Sequence, residues 1–405
     1  MDSAQKGLPA DRSQSMKLEG ITVLDLSLFL PGPAATQLMA DHGARVIKVE
    51  NPLAPEPTRS AESFPWTQGG ETVMFRNTQR GKESIALNLK TTAGKKALLA
   101  LAKTVDVVVE AFRPGVAKRL GIDYATLCEE NPGLVYCSIS AFGQTGPWRD
   151  RPAHDTATVA AAGILDISRS PEGDSGPAII GVPIADMLSS YLALSGILMA
   201  LHRRNSTGLG DFVDISMFES VLAASPNILG PVFGGDQAPE RLRERTHGGN
   251  AMLNVYETAD GQFIALGGGE HKFVEALFTG LEKPEFITAV TGPAGEGHWP
   301  AIAFLRTTFR ERTRADWQTW FEGRDICWSP VATLKEAWDA DHVWERGMRF
   351  KDAKGNDHIG SAVRFDREPA QISTELPTVG AETAKIIAEL DLTEADRKAI
   401  LDGVS

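Results

Sequence analysis

A strand–helix–strand unit at the start of the chain restricts the fold more than any other feature. Ile21-Thr22-Val23-Leu24-Asp25-Leu26 is a short apolar and β-branched run, the composition of a buried strand. Pro31-Gly32-Pro33 breaks it. Ala34 to His42 then carries Ala35, Leu38 and Met39 at helical spacing, and Gly43 stops that helix. Arg45-Val46-Ile47-Lys48-Val49-Glu50 is the next strand. Two strands joined by a helix through tight turns run parallel and bury both faces. The expectation is therefore an α/β chain with a doubly wound parallel sheet. No G-x-G-x-x-G follows the first strand, so the dinucleotide fingerprint is absent although the unit would suit it.

The same pattern continues. Ile85-Ala86-Leu87-Asn88-Leu89-Lys90, Val105 to Glu110, Val135 to Ser140 and Asp211 to Ser216 read as strands, with helices over 92–102 and from about Asp186 to His202. Arg80, Lys82, Lys90, Arg113, Lys118 and Arg119 fall at strand ends and helix starts. As a group they suggest a phosphate site, although each alone is an ordinary solvated charge. Later the pattern changes. Asn254 to Glu257 and Phe263 to Leu266 flank Asp260-Gly261 and read as a β-hairpin, hence a smaller α+β domain. A length of 405 residues is too great for one ordinary core. The expected division is a leader over 1–15, a large α/β domain over 16–225, a small domain over 226–335, and a segment over 336–405 that returns to the large domain.

One stretch carries candidate chemistry. The turn-forming run Phe142-Gly143-Gln144-Thr145-Gly146-Pro147 leads to His154-Asp155, side by side after a loop. Asp186 follows within an apolar run, where an ionised carboxylate costs several kcal/mol unless it is paired or used. An Asp after a Pro-rich loop is equally a helix N-cap. Gly267-Gly268-Gly269 allow close backbone approach to a ligand, and Glu270 beyond them is either a base or a helix cap.

Charge and cysteines exclude several classes. Acidic residues outnumber basic ones 53 to 41, a net charge of −12, which argues against a nucleic-acid partner. Cys128, Cys137 and Cys327 have no paired spacing, which points to a reducing, cytoplasmic setting and no metal. No apolar run reaches the about 18 residues of a membrane span, so no membrane partner is expected. Residues 1–15 are polar and read as disordered, not as a secretory signal.

Gly20 to Leu26, Gly32-Pro33 and Asp41-His42-Gly43-Ala44-Arg45-Val46-Ile47-Lys48-Val49-Glu50 resemble the opening of the family III CoA transferases. Lys82 to Lys90, Phe112-Arg113-Pro114-Gly115, Phe142 to Pro147 and Thr207-Gly208-Leu209-Gly210 extend the resemblance over nearly everything after Met16. That superfamily includes formyl-CoA and carnitine-CoA transferases and α-methylacyl-CoA racemases. The resemblance implies a Rossmann-like large domain, a smaller domain and an interlocked homodimer. It implies no prosthetic group; coenzyme A enters as part of an acyl-CoA substrate. The CoA contacts carried over are Leu30, Pro31, Asn51, Leu87, Leu89, Lys90, Ala111, Phe112, Arg113 and Arg119, with Asn51 standing where several relatives have Arg.

The resemblance implies two reactions. In the transferases the residue matching Asp186 is a nucleophile that attacks the thioester and forms a mixed anhydride. In the racemases it is an acid/base working opposite a His at the position of His154. The presence of His154, Asp155, Asp186 and Glu270 together is closer to the racemases, as is Asp325-Ile326-Cys327-Trp328-Ser329-Pro330-Val331. Asn250 to Asn254 depart from the racemase pattern. Racemisation beside a thioester needs one base on each face of the α-carbon, which His154 and Asp186 would supply. Asp155 or Glu270 would hold the imidazole tautomer, and amides near Gly248 and Gly249 would serve the enolate oxygen. The expectation is racemisation of a 2-methylacyl-CoA, with CoA transfer the alternative and a non-catalytic CoA-thioester binder the third reading.

Overall fold

Pro31 and Pro33 do not break the chain between strand and helix; they start the helix. First-turn N–H groups have no partner inside a helix, so proline loses nothing there and its fixed φ suits the turn. Strand β1 (Thr22–Asp25) is therefore followed at once by α1 (Pro31–Asp41) and β2 (Arg45–Glu50). Gly32 is required at this turn, because a Cβ there would lie 2.1 Å from Ser27 Oγ. The computed structural model describes residues 16–169 and 176–403; the expected leader over 1–15 lies outside them.

After α2 (Val73–Gln79) the chain adds β3 (Glu83–Ala86), α3 (Thr92–Ala102), β4 (Val107–Glu110) and β5 (Val135–Ser140). An excursion through α4 (Asp155–Ala161) and the 24-residue α5 (Ile184–Thr207) then returns to β6 (Phe212–Ser216). The six strands form one all-parallel sheet in the order β3-β2-β1-β4-β5-β6. This is the doubly wound order, and it reverses between β1 and β4. Chains of this kind bind ligands in the crevice at the carboxyl ends of those two strands.

The described chain forms two compact units. The first comprises the residues up to Thr158, Pro183–Ser220 and Asp341 onward; the second comprises Val159–Val182 and Val221–Ala340. The sequence reading kept 159–182 with the large domain. Leu24, Ile47, Leu98, Leu101, Val108 and Tyr136 fill the core of the first unit. Helices α9 (Thr383–Glu389) and α10 (Glu394–Asp402) add Ile386, Ile387 and Ile400 to it. The second unit holds β7 (Leu253–Glu257), β8 (Phe263–Gly267) and β9 (Trp328–Pro330) in an antiparallel sheet of order β9-β8-β7. Helices α6 (His271–Gly280), α7 (Trp299–Phe309) and α8 (Arg314–Phe321) complete that unit. Its core is aromatic, with Tyr256 stacked on Phe309 at 5.1 Å and Phe321 on Trp328 at 4.4 Å.

Charged side chains pair within the first unit, most of them buried. Lys82 pairs with Asp25 at 3.1 Å, Lys48 with Glu56 at 2.9 Å, Arg59 with Glu50 at 2.7 Å and Arg80 with Asp41 at 2.8 Å. Burial alone would raise the Asp25 carboxyl. Lys82, Lys48 and the hydroxyls of Ser27 and Thr36 outweigh it and hold that carboxyl well below the usual range. Burial brings Lys82 down to about 8 despite Asp25. Arg80 and Lys82 therefore leave the set of phosphate candidates. Their charges are spent inside the fold on acidic partners that the local sequence does not reveal.

Candidate active site

Asp155 opens α4, and its Oδ1 accepts the backbone N–H groups of Ala185, at 2.7 Å, and Asp186, at 3.2 Å. These two donors belong to the first turn of α5, where helix N–H groups lack partners. One carboxylate thus ties the start of α5 to the start of α4. Asp186 is not the cap suggested by the Pro-rich loop; Asp155 takes that role across the loop. Nor does Asp155 hold the imidazole, as the sequence reading allowed, since among the described residues no hydrogen bond joins it to His154.

Asp186 is half-buried in the first turn of α5, and its carboxyl accepts no hydrogen bond among the described residues. Burial, followed by the charge of Asp155, pushes it up to about 7. The positive end of the helix dipole works in the opposite direction. A carboxyl in this state is present in both forms near neutral pH. It can accept a proton, donate one, or attack an electrophile when ionised.

His154 is exposed just before α4, and its backbone is fixed. Its carbonyl accepts the N–H of the buried Thr158 at 3.0 Å and that residue's Oγ1 at 2.9 Å. The imidazole meets Phe29 edge to face, with centroids 6.4 Å apart at 76°. Phe29 lies between β1 and α1 with φ at +64°, a conformation that costs a non-glycine residue of order 1 kcal/mol or more. Its N–H donates to Glu56 Oε1 at 3.1 Å, and Lys48 Nζ donates to the carbonyl of Ser27 at 2.8 Å. The buried ion pairs therefore hold the loop that presents Phe29 to His154. Sequence reasoning missed Phe29; the available signal was a large aromatic directly before Leu30-Pro31-Gly32.

The residues matched to CoA contacts gather along the carboxyl edge of four adjacent strands. Leu30 and Pro31 follow β1, Asn51 follows β2, Leu87, Leu89 and Lys90 follow β3, and Ala111, Phe112 and Arg113 follow β4. Arg119 lies in the short helix Val116–Leu120 beyond them. Lys90, Arg113 and Arg119 are exposed. Glu110, buried at the end of β4, accepts the Phe112 N–H at 2.6 Å, which fixes the turn leading to Arg113. Burial raises the Glu110 carboxyl to about 7, against hydrogen bonds from Ser138 and Phe112.

Glu270, Gly248 and Gly249 belong to the second unit. Glu270 is exposed at the N-terminal boundary of α6 and makes no side-chain cap. Gly249 donates its N–H to the Glu244 carbonyl at 3.0 Å, and a Cβ there would come 2.6 Å from the Arg243 backbone. Its amide is committed to the turn and unavailable to a substrate oxygen, which corrects the pairing of these glycines as donors. The Gly248 N–H makes no backbone hydrogen bond among the described residues.

Comparison with known proteins gives a consistent result. A family model described as CoA-transferase family III matches residues 18–383. The chain is 37% identical to the succinyl-CoA–D-citramalate CoA-transferase of Chloroflexus aurantiacus, over 94% of this chain and 95% of that one. It is 31% identical to the α-methylacyl-CoA racemase of Homo sapiens, again over 94% and 95%. Among solved structures, a CAIB/BAIF family protein from Brucella suis superposes with a TM-score of 0.80 at 28% identity, covering 93% of this chain and all of that one.

Proposed function

The chain belongs to CoA-transferase family III, and from that premise we propose that it racemises the α-carbon of a 2-methylacyl-CoA thioester. The observation that carries the reading is Asp186. It is half-buried, free of side-chain hydrogen bonds among the described residues, and titrates near neutrality, in a chain that also has His154. Ionised Asp186 removes the α-proton from one face, and the C–H electron pair passes into the enolate. Imidazolium His154 returns a proton to the other face, so the thioester leaves intact with inverted configuration. In the opposite direction the two exchange roles. CoA is proposed to lie along the carboxyl edge of the sheet, with Lys90, Arg113 and Arg119 facing its phosphates. A homodimer is part of the proposal.

The 37% identity to a citramalate CoA-transferase favours a second reading. There the Asp186 carboxylate attacks the thioester carbonyl and expels the CoA thiolate, leaving a mixed anhydride; the thiolate attacks the Asp186 carbonyl of that anhydride and releases the donor acid, and the resulting aspartyl-CoA thioester passes CoA to an acceptor acid through a second mixed anhydride, which frees Asp186. One experiment separates the two. With a 2-methylacyl-CoA in deuterated water and no acceptor acid, racemisation gives deuterium at the α-carbon and loss of configuration. Loss of configuration is expected to fall at least about a thousandfold in His154→Ala and in Asp186→Asn, each variant keeping exchange only for the enantiomer whose α-proton faces the remaining base. CoA transfer to added acids without α-exchange, dependent on Asp186 and tolerant of His154→Tyr, would overturn the racemase reading in favour of the transferase.

A further inference from the structure

Three residues paired in register near the carboxyl ends of adjacent strands form a polar row: Glu110 on β4, Ser138 on β5 and Asp214 on β6. Side chains paired in this way point to the same face of a sheet. Gln144, in the loop after β5, spans the row. Its Nε2 donates to Ser138 Oγ at 2.8 Å, and its backbone N–H donates to Asp214 Oδ2 at 3.0 Å. The Ser138 hydroxyl donates in turn to the Glu110 carboxylate, whose Oε2 also accepts the Phe112 N–H at 2.6 Å. Glu110 and Ser138 are both buried. One carboxylate thus holds two loops, the turn after β4 directly and the loop after β5 through Ser138 and Gln144.

Those loops bring guanidinium groups together. Arg149 Nε donates to the Gln144 carbonyl at 2.9 Å, and its Nη1 to Asp150 at 3.1 Å. At Gly115, where φ is +81°, an added Cβ would lie 3.3 Å from Arg119 Nη1 and 3.5 Å from Arg149 Nη2. Arg119 and Arg149 therefore meet over the turn that begins at Phe112 and includes Arg113.

The row needs an ionised Glu110. Ser138 Oγ has one hydrogen and already accepts from Gln144. A protonated Glu110 presents an O–H to Ser138 and leaves the buried Ser138 hydrogen without an acceptor. Glu110 makes no ion pair among the described residues, and the charge it faces is Asp214 from β6, which adds to burial in favouring the proton. Burial pushes the Tyr136 hydroxyl and the Cys137 thiol of β5 up, so both stay neutral. On β1, Asp25 is in register with Val109 and so lies on the opposite face.

We propose that Glu110 is a positioning residue for CoA: ionised, it locks the two loops so that Arg113, Arg119 and Arg149 face one set of phosphates, and protonated, it releases them. The inference rests on the placement of CoA along the carboxyl edge of the sheet.

The test is titration calorimetry of the full chain with CoA from pH 6 to pH 8.5. Glu110→Gln keeps the size of the side chain and the hydrogen-bonding pattern of its protonated form. The ratio of its Kd to the wild-type Kd is expected to rise from about twofold at pH 6 to about tenfold at pH 8.5, and a ratio cancels the titration of CoA itself. In Ser138→Ala the ionised carboxylate loses a donor, so the midpoint of the pH dependence moves up. A ratio that does not change with pH, or an unmoved midpoint, overturns the inference. Arg113→Ala checks the placement of CoA and is expected to weaken binding about tenfold. An unchanged Kd there removes the placement and the inference together, whereas a weakened one beside a constant Glu110→Gln ratio removes the inference alone.

Discussion

A carboxyl group that titrates near 7 leaves a mark on stability as well as on rate. Asp186 binds its proton more tightly folded than unfolded, so the native state carries the extra proton between pH 3.8 and about 7. Its contribution to stability is complete below that window and is lost as pH rises through it. In Asp186→Asn this loss disappears. The melting temperature of the variant is expected to gain on wild type from pH 5 to pH 8; equal differences at both pH values would contradict the assigned environment. Phe29 offers a second residue-scale prediction. Phe29→Gly relieves the positive φ and is expected to keep or raise the melting temperature, while removing the edge contact that steadies His154. A fall in kcat of about tenfold with little change in KM is the positioning signature. At this scale sequence reading put His154 and Asp155 side by side after a loop, and both stand at the start of α4. It failed for Asp155's role on α5, because the capped amides lie 30 and 31 positions away.

The secondary-structure elements were legible where apolar periodicity was strong. β2 and β5 fall where the pattern placed them, and β9 joins the expected hairpin as a third strand. Helix α5 was expected from about Asp186 to His202 and runs from Ile184 to Thr207. Ser189, Ser190, Ser195 and Gly196 interrupt the apolar runs, yet an 18-residue stretch of the helix has a mean hydropathy of 1.6, so by length and composition alone it could cross a membrane. In the structure it packs on α1, β5 and β6. The basic residues were misread for a different reason: a cation at a strand end looks the same whether it faces a phosphate or a buried carboxylate. Lys82 joins β1, α1 and the end of α2 through Asp25, the Pro33 carbonyl and Gln79. Lys82→Met leaves Asp25 buried beside a lost partner and is expected to cost about 3–5 kcal/mol. Urea unfolding measures this directly, and a cost below about 1 kcal/mol would show that the pair is not required.

At the scale of the whole molecule, a parallel α/β sheet followed by a smaller antiparallel one could be read from alternating element types. The strand order could not, since neighbours in the sheet are chosen by packing between distant segments. Oligomeric assembly belongs to this scale. Tyr191, Leu192, Leu198 and Met199 leave an apolar face of α5 exposed, with Met199 at 67%. If this face serves the proposed homodimer, Met199→Glu shifts the chain toward monomer in light scattering, with its circular dichroism unchanged. A monomeric wild type would remove that part of the proposal.

The interleaving of the two units also bears on how the protein is made. The core around Leu24 and Ile47 is closed by Ile386, Ile387 and Ile400, near the end of the chain. A ribosome needs on the order of tens of seconds to travel that distance. Throughout that interval the core under α3 stays incompletely covered, while the second unit has all its segments available earlier. Synthesis therefore supplies the later-starting unit in full first, and the helices that complete the earlier one follow it.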